Sequence, residues 1–158
     1  MSTNQLSSAR MEAVMREYYD GCNEADREKI TGCFTPDAVH YFPPGMYEGP
    51  FRGAAKIAGR WCAAVEKGGS YWTIDALLID ADKAEAVIEW SHFKTGQGTV
   101  LRGAEWVVFD RASGLMQEIR AYYASPQAAD LKRLELGGFD YEGRGYEMDS
   151  PRGRSAGQ

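Results

Sequence analysis

The sequence has little of what marks several large protein classes. Its three cysteines, Cys22, Cys33 and Cys62, are odd in number and form no C-x-x-C pair, so buried free thiols in a reducing cytosol are expected rather than a disulfide framework. Basic residues are outnumbered: 18 Lys and Arg face 23 Asp and Glu, for a formal net charge of -5. That balance argues against nucleic acid as the main partner, because phosphate binding needs concentrated cations. No stretch approaches the ~20 apolar residues of a membrane span, and the opening Met-Ser-Thr-Asn-Gln-Leu lacks the basic flank and apolar run of a signal peptide. A cytoplasmic protein without a membrane partner is the expectation. Neither G-x-G-x-x-G nor G-x-x-x-x-G-K follows a strand pattern, so no nucleotide cofactor is implied.

What is abundant is aromatic side chain: nine Tyr, six Phe and four Trp in 158 residues. A chain of this size builds one core. Met11, Val14, Met15, Tyr18, Tyr19 and Cys22 recur at helical spacing, and Asp26 can cap a short second helix that buries Ile30, Cys33 and Phe34 before Thr35-Pro36-Asp37 breaks it. Ala38 to Phe42 reads as a strand that places His40 and Phe42 on one face, and Pro43-Pro44-Gly45 stops it. A third helix carries Ile57, Trp61, Ala64 and Val65 on one stripe and closes at Lys67-Gly68-Gly69. From Ser70 to Tyr123, four period-two runs separated by turn compositions predict an antiparallel meander.

Helices first and hairpin-linked strands afterwards make an α+β pattern with five strands. Along these strands Ala86, Ile88, Trp90 and His92 share a face, as do Leu101, Gly103, Glu105, Val107 and Phe109, and Leu115, Gln117, Ile119, Ala121 and Tyr123. Each face is apolar with one polar intruder, and intruders converging on one concavity suggest a site. Arg102 and Arg120 alternate to the other face and read as outer or interface charges. Ser125-Pro126 opens a helix expected to run through Leu136 and end a domain of residues 1–136. Residues 137–158 read as a tail, with a flap over the pocket or a subunit contact as the alternative.

Arg16-Glu17-Tyr18, Asn23-Glu24-Ala25-Asp26, Phe34-Thr35-Pro36-Asp37-Ala38-Val39, Gly53-Ala54-Ala55-Lys56-Ile57 and Glu118-Ile119-Arg120-Ala121-Tyr122-Tyr123 resemble the nuclear-transport-factor-2-like superfamily, in particular its SnoaL-like and ketosteroid isomerase-like branches. The resemblance implies a cone-shaped α+β barrel: a curved mixed or antiparallel sheet around N-terminal helices, with one central pocket. It also implies that Tyr18 falls where a first-helix tyrosine sits, that Glu105 falls at or near a carboxylic acid of the same branch, and that His92 turns inward. The first strand offers His40 where the isomerases carry an aspartate, which departs from their mechanism and points to the dehydratase and lyase members.

The expected catalytic residues are therefore His92, which would move the proton, His40 as its acid/base partner, and Tyr18 and Glu105 as hydrogen-bond donors. Phe42, Trp61, Trp90 and Tyr123 would wall in a flat aromatic substrate. Core packing would leave the same pattern at His92, Tyr18 and the aromatic positions, while a solvated strand charge would do so for Glu105 and an exposed strand end for His40. No local motif such as H-x-D supports a metal site, so no metal and no cofactor are expected. The leading reading is a cofactor-independent lyase on a hydroxylated aromatic molecule, by dehydration or retro-aldol cleavage. The resemblance supplies a specific version, formaldehyde release from a lignin-derived diaryl compound. A double-bond isomerase or polyketide cyclase, and a non-catalytic ligand-binding or assembly subunit, are the alternatives. Trp106, Val108 and Tyr122 on the outer sheet face point to a homo-oligomer, dimer or trimer.

Overall fold

Helix α1 (Ser8–Glu24) starts where Ser7, in an extended conformation, accepts the Arg10 N–H at 3.2 Å. One face of it buries Met11, Val14, Met15, Tyr18, Tyr19 and Cys22, and each fully buried apolar side chain there contributes about 1.5–3 kcal/mol. Asp26 caps α2 (Arg27–Gly32) by accepting from Lys29 N–H at 3.0 Å. Helix α3 (Ala54–Gly68) buries Ala54, Ile57, Ala58, Trp61 and Cys62 and ends at Gly69, whose φ of 63° closes the helix in the left-handed conformation. Its buried stripe is rotated from the expected one: Ala64 and Val65 are only partly covered, and Ala58 and Cys62 take their place. The structure is a computed structural model and describes residues 6–123, 136–145 and 148. The helix expected over 125–136 lies outside the described residues, except for Leu136.

The strands are β1 (Phe34–Tyr41), β2 (Phe51–Arg52), β3 (Ser70–Asp80), β4 (Glu85–Lys94), β5 (Thr99–Phe109) and β6 (Met116–Tyr122). They form one curved, unclosed sheet in the order β2-β1-β6-β5-β4-β3. β3 to β6 are the antiparallel meander, whereas β1 runs parallel to β6. The result is a mixed α+β cone, as the residue pattern and the resemblance implied.

Three expectations are corrected. Helix α2 ends at Gly32, so Cys33 and Phe34 lie beyond it, and the strand expected from Ala38 already starts at Phe34 and runs through Thr35-Pro36-Asp37; the sheet tolerates the missing proline donor because pairing with β6 is irregular between Phe34 and Val39. A sixth strand exists, since the two-residue β2 pairs with β1 but is too short to leave a periodic signal. Leu115 and Gln117 do not share the inner face of β6; a bulge between Val108 and Phe109 shifts the register, so Met116 is fully buried and Gln117 exposed.

Cys22, Cys33 and Cys62 are free and buried. Among the described residues no helix is long and apolar enough to cross a membrane. Trp106 and Tyr122 are exposed on the outer sheet face, at 39% and 42%. Arg120 lies on that face but is covered: its guanidinium sits over the Trp106 and Phe139 rings. Leu136 and Phe139 pack there with Tyr41, and Arg144 makes a two-pronged ion pair with Glu118. None of the described C-terminal residues lines the cavity.

Candidate active site

The concave side of the sheet, closed by α1 and α3, surrounds a cavity of about 40 Å³, room for roughly three waters. All eight expected site residues, Tyr18, His40, Phe42, Trp61, Trp90, His92, Glu105 and Tyr123, line it. The period-two pattern of β4 and β5 put His92, Trp90 and Glu105 on the inner face. At its mouth a groove of about 350 Å³ opens, and Tyr47, Trp61, His92 and Lys94 line both spaces.

Glu105 is the centre of the deep end. It is 5% exposed, and the Tyr19 hydroxyl donates to its Oε1 at 2.5 Å. Its Oε2 lies 3.4 Å from His40 Nε2 and has no hydrogen-bond partner. His40 reaches it across β6, the strand between β1 and β5, where the register partner of Glu105 is the small Ala121. A methyl group there leaves room for the imidazole and the carboxyl to meet. Phe42 stacks on His40 with centroids 4.2 Å apart and rings 7° from parallel, and Trp61 meets it edge-on, so the imidazole is fixed by aromatic faces.

Sequence reasoning singled out Tyr18 and missed Tyr19. Both are buried on α1, both line the cavity, and they touch edge to face, but only Tyr19 bonds to Glu105. Burial first, then the nearby carboxyl, pushes the Tyr19 hydroxyl well above its ordinary pKa, so it remains a donor. Burial, with the Cys22 thiol next, does the same for Tyr18. The Trp61 indole lies close enough to influence the Tyr18 hydroxyl but not in hydrogen-bond geometry. No periodicity separates two adjacent residues that are both buried, so the missed tyrosine left no signal in the chain.

His92 belongs to the mouth. Its Nε2 is 2.8 Å from the Ser70 hydroxyl, and its ring stacks on Trp72 at 4.3 Å. Trp72 is held in place by Asn23, whose side-chain amide pairs with both the N–H and the C=O of that residue at 2.8 Å each. Burial first, and the Lys94 ammonium second, push the His92 pKa down to about 4, so its imidazole is neutral near pH 7.

Trp90 lies flat across β5 because its register partner is Gly103; a Cβ there would stand 2.7 Å from the indole. The indole N–H groups of Trp61 and Trp90 are buried without acceptors, like Glu105 Oε2. Three unsatisfied polar atoms on residues around one cavity are costly in a finished core, at about 1–3 kcal/mol each, and fit a site that a ligand completes. Among the described residues no three His, Cys, Asp or Glu side chains group as metal ligands.

Helices closing a curved sheet over such a cavity make the nuclear-transport-factor-2-like fold. Within it the chain belongs to the SnoaL-like domain family, whose sequence model matches residues 15–119. A protein of unknown function with a cystatin-like fold from Methylobium petroleophilum PM1 is 70% identical, with a TM-score of 0.90 over 94% of this chain and 97% of that one. An NTF2-like protein of unknown function from Mesorhizobium loti is 17% identical, with a TM-score of 0.62 over 75% and 93% of the two chains. SalBIII, an epoxide hydrolase/cyclase-like enzyme with a role in pyran ring formation in the polyether salinomycin, is 14% identical, with a TM-score of 0.63 over 84% and 98%. The last two likenesses show the fold alone. No functionally curated protein matches the chain. Members of this fold include isomerases, cyclases and lyases.

Proposed function

We propose that the protein is an acid/base enzyme of the lyase type acting on a small hydroxylated aromatic compound, with His40 as the base. The observation that carries this reading is the buried line Tyr19–Glu105–His40, in which the carboxyl receives one hydrogen bond on Oε1 and turns Oε2 to the imidazole at 3.4 Å. A base held by a carboxyl that is itself held by a fixed donor is the arrangement proton transfer requires: orientation is set beforehand, and the imidazolium that forms is stabilised. His92, pushed down to about 4, is a poor match for abstracting a proton near neutrality. In this reading His40 takes the role first expected of His92, and His92 lines the entrance.

In a retro-aldol reaction His40 takes the substrate's hydroxyl proton, the C–C bond breaks to release a small aldehyde, and a proton returns to the carbon left behind. In a dehydration it removes a C–H proton, and the resulting imidazolium returns that proton to the leaving hydroxyl, which departs as water. Tyr18 donates to the oxygen on which charge develops. The 40 Å³ cavity admits the reacting carbon and its oxygen, while the aryl body lies in the larger groove against Tyr47 and Trp61. Formaldehyde release from a diaryl substrate is one version of this scheme. The outer-face aromatics support a homo-oligomeric enzyme.

The test is incubation of wild type and His40→Gln with hydroxylated aromatic and diaryl compounds, followed by mass spectrometry. Loss of a water or formaldehyde mass that the variant abolishes supports the lyase. Conversion without a mass change makes the enzyme an isomerase or cyclase, and equal turnover by both proteins removes His40 from the mechanism.

A further inference from the structure

The groove at the mouth carries charge of one sign. Lys67 and Lys94 line it and no carboxylate does; in the adjoining cavity the carboxyl is Glu105, at the far end. In a chain of net charge -5 this is a local excess of positive charge. Elsewhere on the surface Lys29 pairs with Glu24, Lys56 with Glu48 and Lys83 with Asp80. Lys94 is half-buried, and among the described residues no acidic side chain pairs with it or with Lys67.

The two ammonium groups are brought to one rim by backbone that cannot easily shift. Gly96 N–H donates to Gly68 C=O at 3.0 Å, and the Thr95 hydroxyl donates to Gly69 C=O at 2.5 Å. A Cβ on Gly96 would stand 2.8 Å from the Gly68 oxygen, so this approach of the β4–β5 turn to the end of α3 requires glycine. An ammonium with no acidic partner among the described residues, carried by a half-buried lysine beside aromatic walls, is a site for an anion attached to an apolar body. Neither a glycine-rich phosphate loop nor an arginine fork lines the groove, which favours a carboxylate over a phosphate ester.

We propose that the substrate is an aromatic carboxylic acid whose carboxylate is held at the mouth by Lys94, with Lys67 beside it, while its reacting carbon points inward to His40 and Glu105. This deepens the reading of the cavity as an active site and rests on it for the direction of the substrate. A carboxylate entering the deep end would meet Glu105 and no cation, so the anion stays at the mouth and the molecule binds in one orientation. The ring lies against Trp61 and Tyr47, and His92 flanks the carboxylate from the Trp72 side.

The experiment is calorimetric titration of benzoate, phenylacetate and cinnamate, each against its uncharged primary amide, into wild type, Lys94→Met and Lys94→Arg at low and high salt. Wild type should prefer at least one acid to its amide by about tenfold or more, the scale of one hydrogen bond to a charged group. Lys94→Met should lose the preference while keeping amide affinity, Lys94→Arg should keep part of it, and salt should weaken it. Lys94→Met should also raise the His92 pKa, read by NMR, which verifies both folding and the position of the ammonium. Equal affinity for acid and amide, no binding of any acid, or a preference that survives Lys94→Met overturns the proposal. Acid preference without turnover of any hydroxylated acid would leave this subsite standing and remove the catalytic reading instead.

Discussion

The deep end and the mouth of the cavity each hold one imidazole on the same sheet face, and their surroundings treat the two in opposite ways. His40 faces a buried carboxyl at 3.4 Å and is pressed between Phe42 and Trp61. His92 faces a serine hydroxyl, stacks on Trp72 and feels an ammonium. Burial and an ammonium keep His92 neutral, whereas His40 lies against a carboxyl, so one residue type is proposed as the proton acceptor at one end and stands as a neutral polar wall at the other.

The sharpest way to break this comparison is to remove one imidazole at a time. His40→Gln should lower kcat by about a hundredfold to ten-thousandfold, the range of a lost general base, whereas His92→Gln should change KM more than kcat; steady-state kinetics on the substrate found by mass spectrometry decides it. A similar fall in kcat from His92→Gln would undo the assignment of roles. Glu105→Gln, which keeps the shape but cannot carry the charge that offsets an imidazolium, should cost kcat about a hundredfold with a nearly unchanged thermal midpoint. Next in size is the contrast between neighbouring tyrosines. Tyr19→Phe leaves Glu105 Oε1 without its donor and should destabilise by about 1–3 kcal/mol in urea unfolding; Tyr18→Phe should cost less.

The remaining contrast concerns pH. His92 titrates at about 4 in the folded protein against 6.5 ordinarily, so below the higher value the unfolded chain binds the proton more readily. Its contribution to stability is therefore complete above pH 6.5 and is lost as pH falls toward about 4. Urea midpoints measured across that window should decline in wild type and decline less in His92→Gln. Identical slopes would show that the mouth does not hold the imidazole neutral.

Much of the cone was legible residue by residue. The stripe from Met11 to Cys22 declared α1, and alternation along β4 and β5 turned Trp90, His92 and Glu105 inward together. The alternation failed on β6, where a bulge moved Met116 into the core, because a one-residue slip exchanges faces without changing composition. β2 was silent because two residues carry no period. Tyr19 was overlooked because α1 buries both tyrosines, and burial alone does not tell which hydroxyl finds the carboxyl.

By itself, then, the amino-acid order determined the class of fold, the inward faces of α1, β4 and β5 and eight of the side chains lining the cavity, since these follow from local periodicity and from capping and turn residues. Only the tertiary structure decided the pairing of those side chains. His40 and Glu105 are 65 residues apart by their numbering and meet because parallel pairing of β1 with β6 sets a register over a small alanine. Lys67 and Lys94 share a rim because two glycines let a turn touch a helix end. Such distances of a few ångströms depend on register and close approach between segments remote in sequence, and no local pattern encodes them.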